Sequence, residues 1–421
     1  MTNPTHRLGC SSVVSGRLPV FRFPQEIRAA CGVQDAGPHG DADFVFSSGG
    51  QLIHGRRDRA LELPSLAEAG PDALARAVAD ELSRHPAGIV CGVVPFERDA
   101  RPHMFLVEEP VRVRTPQLPQ NPNTHATAPT HAPADFGDDA HYRMSVEAAL
   151  DAIHAGTVDK VVLARHVDVP GSFDAGHTWW RGLAANPTAH GFAVSLPDGM
   201  WVGASPEMIG EVEDDTFSTH PLAGSCPRAA GDRGGPAHGG ALLTSPKDQR
   251  EHRFVVDHIV QNLAPLARRI DLPLRPDILA TDSMLHLGTH ITGVLRPHVD
   301  ALRTALTIHP TPAVCGAPSA DAAAMIRECE PEPRGAYAGL VGWSDANGNG
   351  QWALALRCAR LGTESTRLFA GAGVVQGSTP DHEHAETAAK LGTMSLALSE
   401  AASAPAVTTP FPTPIATGGP S

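Results

Sequence analysis

Two stretches of alternating apolar residues, each interrupted by a tight-turn sequence, constrain the fold of this chain most strongly. The first, "GFAVSLPDGMWVGASPEMIGEV" (191–212), breaks at Pro-Asp-Gly, and the second, "GAYAGLVGWSDANGNGQWALALRCARL" (335–361), breaks at "DANGNG". Both predict β-hairpins, because these turn residues favour the backbone of a short hairpin connection. A third alternating run, "DKVVLARHVDV" (159–169), predicts a single strand.

Amphipathic helices are predicted between these strands. The three clearest are "MSVEAALDAIHAG" (144–156), "SPKDQREHRFVVDHIVQNLAPLARRI" (245–270) and "DHEHAETAAKLGTMSLALSEA" (381–401). Hairpins with helices between them indicate an α+β fold with antiparallel sheets and exclude a doubly wound parallel sheet.

Composition indicates a soluble globular protein without a nucleic-acid partner. The net charge is −13 and no Lys/Arg-rich run is present, so the chain lacks a phosphate-binding footprint. The seven cysteines are scattered without a CxxC pair, which favours reduced thiols over a zinc site. With neither a signal-peptide pattern at the N-terminus nor a long apolar run, we expect a cytoplasmic protein that does not engage a membrane.

Three segments have the composition of irregular structure. Residues 115–140 are rich in Pro, Thr, Ala and Asn and predict a flexible loop or linker, and residues 400–421 predict a disordered tail. The glycine-rich stretch 229–241 predicts a third flexible segment next to more informative motifs.

Two of the predicted helices carry paired carboxylates. Glu383, Glu386 and Lys390 fall at i, i+3 and i+7, and Asp248 and Glu251 at i, i+3, so each set shares one helix face. The ordinary interpretation is a solvated salt-bridge surface. The alternative is that the two helices face each other across a Mg²⁺ ion, which prefers oxygen ligands. Spacing alone does not decide between these two interpretations.

A single arginine in the second hairpin segment is a candidate for anion binding. In "QWALALRCARL", strand alternation places Arg357 on one face with Ala353, Ala355 and Ala359. Small neighbours leave room above the guanidinium for a ligand carboxylate. An arginine whose head reaches water at a sheet edge is the equal alternative.

Other candidates are individually weak. Lys160 is either a buried base or a strand-end ammonium in water, and Glu207 is either a general acid or a solvent-facing strand residue. His286 is either a hydrogen-bond donor to a ligand or a core histidine. The glycines of "PLAGSCPR" (221–228) and "FAGAGVV" (369–375) allow backbone N–H groups to approach an anion.

Together and in this order, these segments resemble the chorismate-utilising enzymes, and among them most closely the isochorismate synthases. The resemblance covers roughly residues 140–397 and rests on nine motifs, which are "KVVLARHVDV", "GASPEM", "PLAGSCPR", "KDQREHRFVVD", "HLGTHITG", "HPTPAVCGAP", "GAYAGLVGWSDANGNGQWALALRCARL", "LFAGAGVV" and "EHAETAAKLGTM". It implies two large antiparallel sheets packed together with helices outside. Residues 1–114 and 141–399 would then form the N-terminal part and the chorismate-binding core of one catalytic domain.

The resemblance also implies roles for the candidate residues. Glu251 and Glu386 would bind Mg²⁺. Asp248 and Glu383 would support these two ligands from outside the coordination shell of the ion. Lys160 would be the base that activates a water for attack at C2 of chorismate, and Glu207 the acid that protonates the hydroxyl leaving from C4. The positions that match substrate contacts are Gly224, Ser225, His286, Ala313, Arg357, Gly371 and Lys390.

The relatives with this fold make different predictions. Anthranilate synthases lack a lysine at the position of Lys160, and aminodeoxychorismate synthases carry one at the position of Ala223, so both are disfavoured. Salicylate synthase, which also removes pyruvate, is disfavoured by the small Ala313. A non-catalytic chorismate-binding subunit is disfavoured by the intact candidate acid, base and metal residues. We therefore expect a monomeric isochorismate synthase that serves catechol siderophore or menaquinone biosynthesis.

Overall fold

The structure is a computed structural model that describes residues 18–24, 28, 41–114, 136–227, 236–280 and 284–401. Most of the predicted loop 115–140 and of the predicted tail 400–421 lies outside these ranges, so both remain predictions. The last helix extends to Ala401, two residues into the predicted tail. The predicted flexible stretch 229–241 is described only from Pro236, where a helix begins.

The described strands are mostly short. In chain order they are β1 (Phe21–Arg22), β2 (Asp41–Ala42), β3 (Phe44–Ser48), β4 (Gln51–Gly55), β5 (Arg59–Ala60), β6 (Ile89–Val94), β7 (His103–Val107), β8 (Val111–Arg114), β9 (Lys160–Pro170), β10 (His190–Leu196), β11 (Gly199–Ser205), β12 (Met208–Glu213), β13 (Thr216–Thr219), β14 (Leu222–Pro227), β15 (Ala267–Asp271), β16 (Asp277–Ala280), β17 (Met284–Gly288), β18 (Ile291–Leu295), β19 (Gly316–Ala317), β20 (Leu340–Asp345), β21 (Gly350–Leu354), β22 (Cys358–Leu361) and β23 (Ser365–Val375).

Helices occupy the segments between these strands. In chain order they are α1 (Leu66–Arg84), α2 (Ala140–His154), α3 (Ala175–Ala185), α4 (Pro236–Thr244), α5 (Pro246–Leu263), α6 (Ala301–Ile308), α7 (Ser319–Cys329) and α8 (Pro380–Ala401). Within the described ranges, no helix combines the length and apolar character needed to cross a membrane.

Two nine-stranded antiparallel sheets form the body of the protein, which confirms the predicted α+β class. The first sheet has the order β19-β9-β23-β22-β11-β10-β3-β4-β8, and the second β15-β18-β13-β12-β21-β20-β6-β7-β5. A three-stranded sheet, β14-β17-β16, and the β1-β2 pair complete the described strands. Both hairpins predicted from sequence are present, with Leu196 opposite Gly199 and Ser344 opposite Gly350.

The main core contains residues of both nine-stranded sheets. Phe192 and Val194 of the first sheet belong to the same buried cluster as Val212 and Trp352 of the second. Ala193, between the two β10 residues, belongs instead to a cluster on the other face of the first sheet. Alternate side chains of β10 therefore point to opposite faces of the sheet, and each face is buried against a different layer. Helices α3 and α8 contribute to that outer cluster.

Three sequence predictions are wrong in detail. The run 191–212 is not a two-stranded hairpin alone, because β11 of the first sheet ends at Ser205 and β12 begins at Met208 in the second sheet. The run 351–361 is not one strand, because β21 pairs in the second sheet and β22 in the first. Arg357 lies in the crossing between them with φ of 47°, so it does not share a strand face with its alanine neighbours. The helix predicted to continue to residue 270 ends at Leu263, before Pro265, and Ala267–Asp271 forms a strand. Ala264 still has helical backbone angles, but Pro265 has no N–H with which to continue the helical hydrogen bonds, which accounts for this end.

Candidate active site

One cavity brings together most of the residues singled out from the sequence. Ten of the thirteen candidates line it, namely Glu207, Gly224, Ser225, Glu251, His286, Ala313, Arg357, Gly371, Glu386 and Lys390. These residues come from the first large sheet, the small sheet, two helices and the connections between elements, so only the tertiary fold assembles the cavity. The other three candidates, Lys160, Asp248 and Glu383, are neighbours of these lining residues.

Lys160 begins β9 and is completely buried, with no exposed surface. Its Nζ lies 3.0 Å from Oε1 of Glu251 on α5. Gly373 on β23 provides the space for this pair, since a Cβ at residue 373 would lie 2.6 Å from the Glu251 oxygen and 3.1 Å from Cε of Lys160. Of the two sequence interpretations, the structure therefore favours the buried lysine over a solvated strand end.

Glu207 lies in the connection between β11 and β12, and only 3 % of its surface is exposed. Its backbone is fixed on both sides, because its N–H donates to Ser205 Oγ at 3.2 Å and its carbonyl accepts from the Leu354 N–H at 3.1 Å. Burial raises the pKa of its carboxyl to about 8, although a backbone hydrogen bond from Leu222 and the nearby Lys160 act in the opposite direction. Glu207 is thus mostly protonated at neutral pH and can donate a proton.

The predicted carboxylate cluster forms where α5 and α8 meet. Glu386 interacts electrostatically with Asp248, and Glu251 with Glu383, so the two helical pairs face each other as the metal interpretation requires. Ligand atoms of His382, Glu383 and Glu386 all lie within 4.8 Å of one another. Closely spaced carboxylates repel each other unless a cation is shared among them.

Glu383 is the most deeply buried carboxylate of this cluster. It is 1 % exposed, and among the described residues neither of its oxygens accepts a well-aligned hydrogen bond, although Lys247 Nζ lies 3.5 Å from Oε1 and Ser378 lies nearby. Burial and the neighbouring Glu386 carboxylate raise the pKa of Glu383. Buried carboxylate oxygens without hydrogen bonds are typical of a site that a hard divalent cation completes. The donor set therefore fits Mg²⁺.

Lysines contact both carboxylates that the resemblance assigns as metal ligands. Lys390 Nζ lies 2.7 Å from Glu386 and also donates to the Gly371 carbonyl at 2.8 Å, while Ser225 Oγ donates to Glu386 at 3.1 Å. Burial acts to raise the pKa of Glu386, but Lys390 and Ser225 outweigh it and hold that pKa below its ordinary value. Glu386 is therefore ionised at neutral pH, as a metal ligand must be.

The glycine turn of "PLAGSCPR" packs directly against α5. Gly224 interrupts the β14–β17 register with φ of 73°, and a Cβ there would lie 3.0 Å from Cβ of Asp248. Ser225 is paired with His286 on β17. Burial lowers the pKa of His286 to about 3, and its buried Nε2 has no hydrogen-bond partner among the described residues. A neutral, unsatisfied imidazole in the cavity wall favours the ligand-contacting interpretation of His286.

Arg357 reaches the same cavity from the crossing between the sheets. Its carbonyl accepts from the Ala204 N–H at 3.1 Å, which anchors the unusual backbone conformation. Burial lowers the pKa of Arg357, while Tyr337 and Glu386 oppose that change. A guanidinium at this position suits a bidentate contact with a ligand carboxylate.

Tyr337, Arg334 and Gly373 are among the cavity residues that the sequence analysis did not select. Tyr337, whose ring stacks on Phe369 at 5.3 Å, lines the wall beside Arg357. Arg334 and Gly373 line it as well. Tyr337 and Gly373 lie within motifs quoted above, but a tyrosine or glycine among apolar residues carries no distinctive signal of its own.

Comparison with known proteins identifies the class to which this fold and cavity belong. A family model described as chorismate binding enzyme matches residues 103–399. The chain belongs to the chorismate binding enzyme family.

Several relatives within this family carry a narrower name. The vibriobactin-specific isochorismate synthase of Vibrio cholerae is 34% identical over 361 residues, which is 83% of this chain and 90% of that protein. The isochorismate synthase DhbC of Bacillus subtilis is 36% identical over 323 residues, 73% of this chain and 79% of that protein. A crystal structure from Bacillus anthracis, assigned provisionally as a 2,3-dihydroxybenzoate-specific isochorismate synthase, superposes with a TM-score of 0.76 at 31% identity and covers 85% of this chain and 96% of that one.

Proposed function

We propose that this chain is an isochorismate synthase that isomerises chorismate to isochorismate with Mg²⁺. The proposal rests on one observation. The completely buried Lys160 and Glu207, whose pKa is about 8, lie at the same cavity as the carboxylate cluster. The similarity to isochorismate synthases supports the same reaction. The product would enter catechol siderophore or menaquinone biosynthesis.

In the proposed reaction, Nζ of Lys160 accepts a proton from the water that attacks C2 of the substrate ring. The step requires Lys160 as the neutral amine at the moment when it accepts the proton. Glu207 donates its proton to the C4 hydroxyl, which leaves as water while the ring double bonds shift. One water is consumed and one is released, so the overall change is an isomerisation.

The remaining candidates hold the dianionic substrate. Arg357 binds the enolpyruvyl carboxylate, and Lys390, Ser225 and the backbone at Gly224 lie beside the ring. Mg²⁺ held by Glu251 and Glu386, with Asp248 and Glu383 behind them, would neutralise the ring carboxylate and withdraw electron density from the diene. Because the protein carries a net charge of −13, these local positive groups are needed to bind an anion.

The proposal is tested by product analysis. Purified protein is incubated with chorismate and Mg²⁺, and the products are separated by chromatography, in parallel with Glu207→Gln. We expect isochorismate as the single product of the wild type and its loss in the variant. Salicylate with pyruvate would instead indicate a synthase of the lyase type. Chorismate binding without turnover would indicate a binding subunit.

A further inference from the structure

Strand β9, which carries Lys160, has an incomplete neighbour on its outer side. Its partner there, β19, is only two residues long and pairs with Lys160 and Val161. One residue further on, the Val162 N–H still finds a main-chain acceptor, the Cys315 carbonyl, at 2.8 Å. Beyond that point, no strand of the described ranges pairs with the outer edge of β9.

Beyond the end of β19, a buried ion pair forms hydrogen bonds with the β9 backbone. Nη2 of Arg334 donates to the Val162 carbonyl at 2.7 Å, and the Ala164 N–H donates to Oε1 of Glu330 at 2.8 Å. The two side chains are joined by a further hydrogen bond, from Arg334 Nε to Glu330 Oε2 at 2.8 Å. Their side chains are 3 % and 7 % exposed. The pair thus supplies the donor and the acceptor that a neighbouring strand would otherwise supply.

Arg334 also ties β9 to a second wall of the cavity. Its Nη1 donates to the Val314 carbonyl at 2.7 Å, next to Ala313. Its own position is fixed, because its N–H donates to Glu97 at 2.7 Å and its guanidinium carbon lies 4.3 Å from the Phe96 ring centre. The planar fork of an arginine can satisfy these divergent acceptors at once, which a lysine ammonium cannot do.

We propose that the Glu330–Arg334 pair is a positioning device for the general base, holding the β9 backbone so that Lys160 points at the attacked carbon. The inference rests on the proposed function, because it concerns the residue that acts as base there. Val162 and Ala164 follow Lys160 on the same face of β9, so fixing their backbone fixes the direction of the lysine. A buried ion pair contributes little net stability, because desolvation of the two charges offsets their attraction. We therefore assign the Glu330–Arg334 pair to orienting the β9 backbone.

The test compares Arg334→Lys with a matched control on the same strand. Arg367 forms a bidentate pair with Asp168, far from the cavity end of β9, so Arg367→Lys makes the same chemical change without touching the backbone near Lys160. We expect Arg334→Lys to lower kcat about 10- to 100-fold, the effect of misplacing a reacting group. KM for chorismate should stay within about threefold, because none of the residues proposed to contact the substrate is replaced. The control should retain wild-type kcat.

Two further readouts separate positioning from general loss of structure. Hydrogen exchange at Ala164 should accelerate in Arg334→Lys while exchange in β11 stays unchanged. Glu330→Gln keeps an oxygen that can accept a hydrogen bond from the Ala164 N–H, so its kcat should fall less than that of Arg334→Lys. This variant tests the same inference if Arg334→Lys does not fold. Wild-type kcat in both variants would overturn the inference, as would exchange accelerated equally throughout the protein. A wild type without turnover contradicts the proposed function instead, and exchange at Ala164 then decides alone whether the pair holds the strand.

Discussion

Nζ of Lys160 and Oε1 of Glu251 lie 3.0 Å apart, which joins the proposed base directly to a proposed metal ligand. The two residues come from β9 and α5, and they meet because Gly373 on β23 leaves room between them. The base and the carboxylate cluster are therefore parts of one site, and a small change at this contact should affect both.

Gly373→Ala is expected to disrupt this contact. The new Cβ would lie 2.6 Å from the Glu251 oxygen, so the carboxylate or the lysine must move. We expect kcat to fall about 100-fold, because a displacement of about 1 Å at a reacting group has that effect. Steady-state kinetics measure the loss. Gly392→Ala in α8 is the matched control, since a Cβ there meets nothing within 4 Å and wild-type activity should remain.

The pH dependence of kcat/KM should report Glu207. Its pKa of about 8 means that the proton it donates is present below that pH and is lost above it. We expect kcat/KM to fall about tenfold per unit above pH 8. A pH–rate profile of the wild type measures this limb. A profile that stays flat to pH 9.5 would show that Glu207 is not the acid.

The same burial should make Glu207 destabilising at neutral pH. Its folded pKa is raised above its ordinary value of 4.5, so the stability it contributes is fully present below about pH 4.5 and is lost as pH rises to about 8. Glu207→Gln does not ionise and avoids this loss. At pH 8 we expect the variant to exceed the wild type in free energy of unfolding by about 2–4 kcal/mol, with a much smaller gain near pH 5. Urea unfolding at the two pH values measures both gains, and equal gains would contradict the raised pKa.

Metal affinity should depend on Glu386 more than on an ordinary carboxylate. Replacing it by Gln removes one negative charge from the cluster at the meeting of α5 and α8. We expect the Mg²⁺ dissociation constant, measured by calorimetry, to rise about 10- to 100-fold. Glu364→Gln, at an exposed position, is the control and should bind Mg²⁺ as the wild type does. Unchanged affinity in Glu386→Gln would place the ion elsewhere.

Local patterns allowed much of this fold to be predicted. Strand-forming residues predict β9, and the Pro-Asp-Gly and Asn-Gly turn residues between apolar runs predict both hairpins. The i, i+3 spacing predicts that Glu383 and Glu386 share a face of α8 with Lys390. Residue spacing does not predict that α8 lies next to α5, because that arrangement depends on strands distant in sequence.

The sequence prediction around Arg357 is wrong because the chain passes from one large sheet to the other within a run that looks like a single strand. The alternation around Arg357 continues through two strands of different sheets, and only its positive φ marks the crossing. Arg334 gave no signal because Glu330 lies four residues before it, the spacing of an ordinary surface pair on a helix. Its burial and its contacts with β9 are visible only in three dimensions.

The central claim is that water adds at C2 while the C4 hydroxyl leaves. The most direct measurement is mass spectrometry of isochorismate formed from unlabelled chorismate in ¹⁸O-enriched water. The account predicts one ¹⁸O atom in the product, located at C2, and no product from Lys160→Ala. Isochorismate without ¹⁸O would show that the hydroxyl migrates within the substrate, and would contradict the roles assigned to both Lys160 and Glu207.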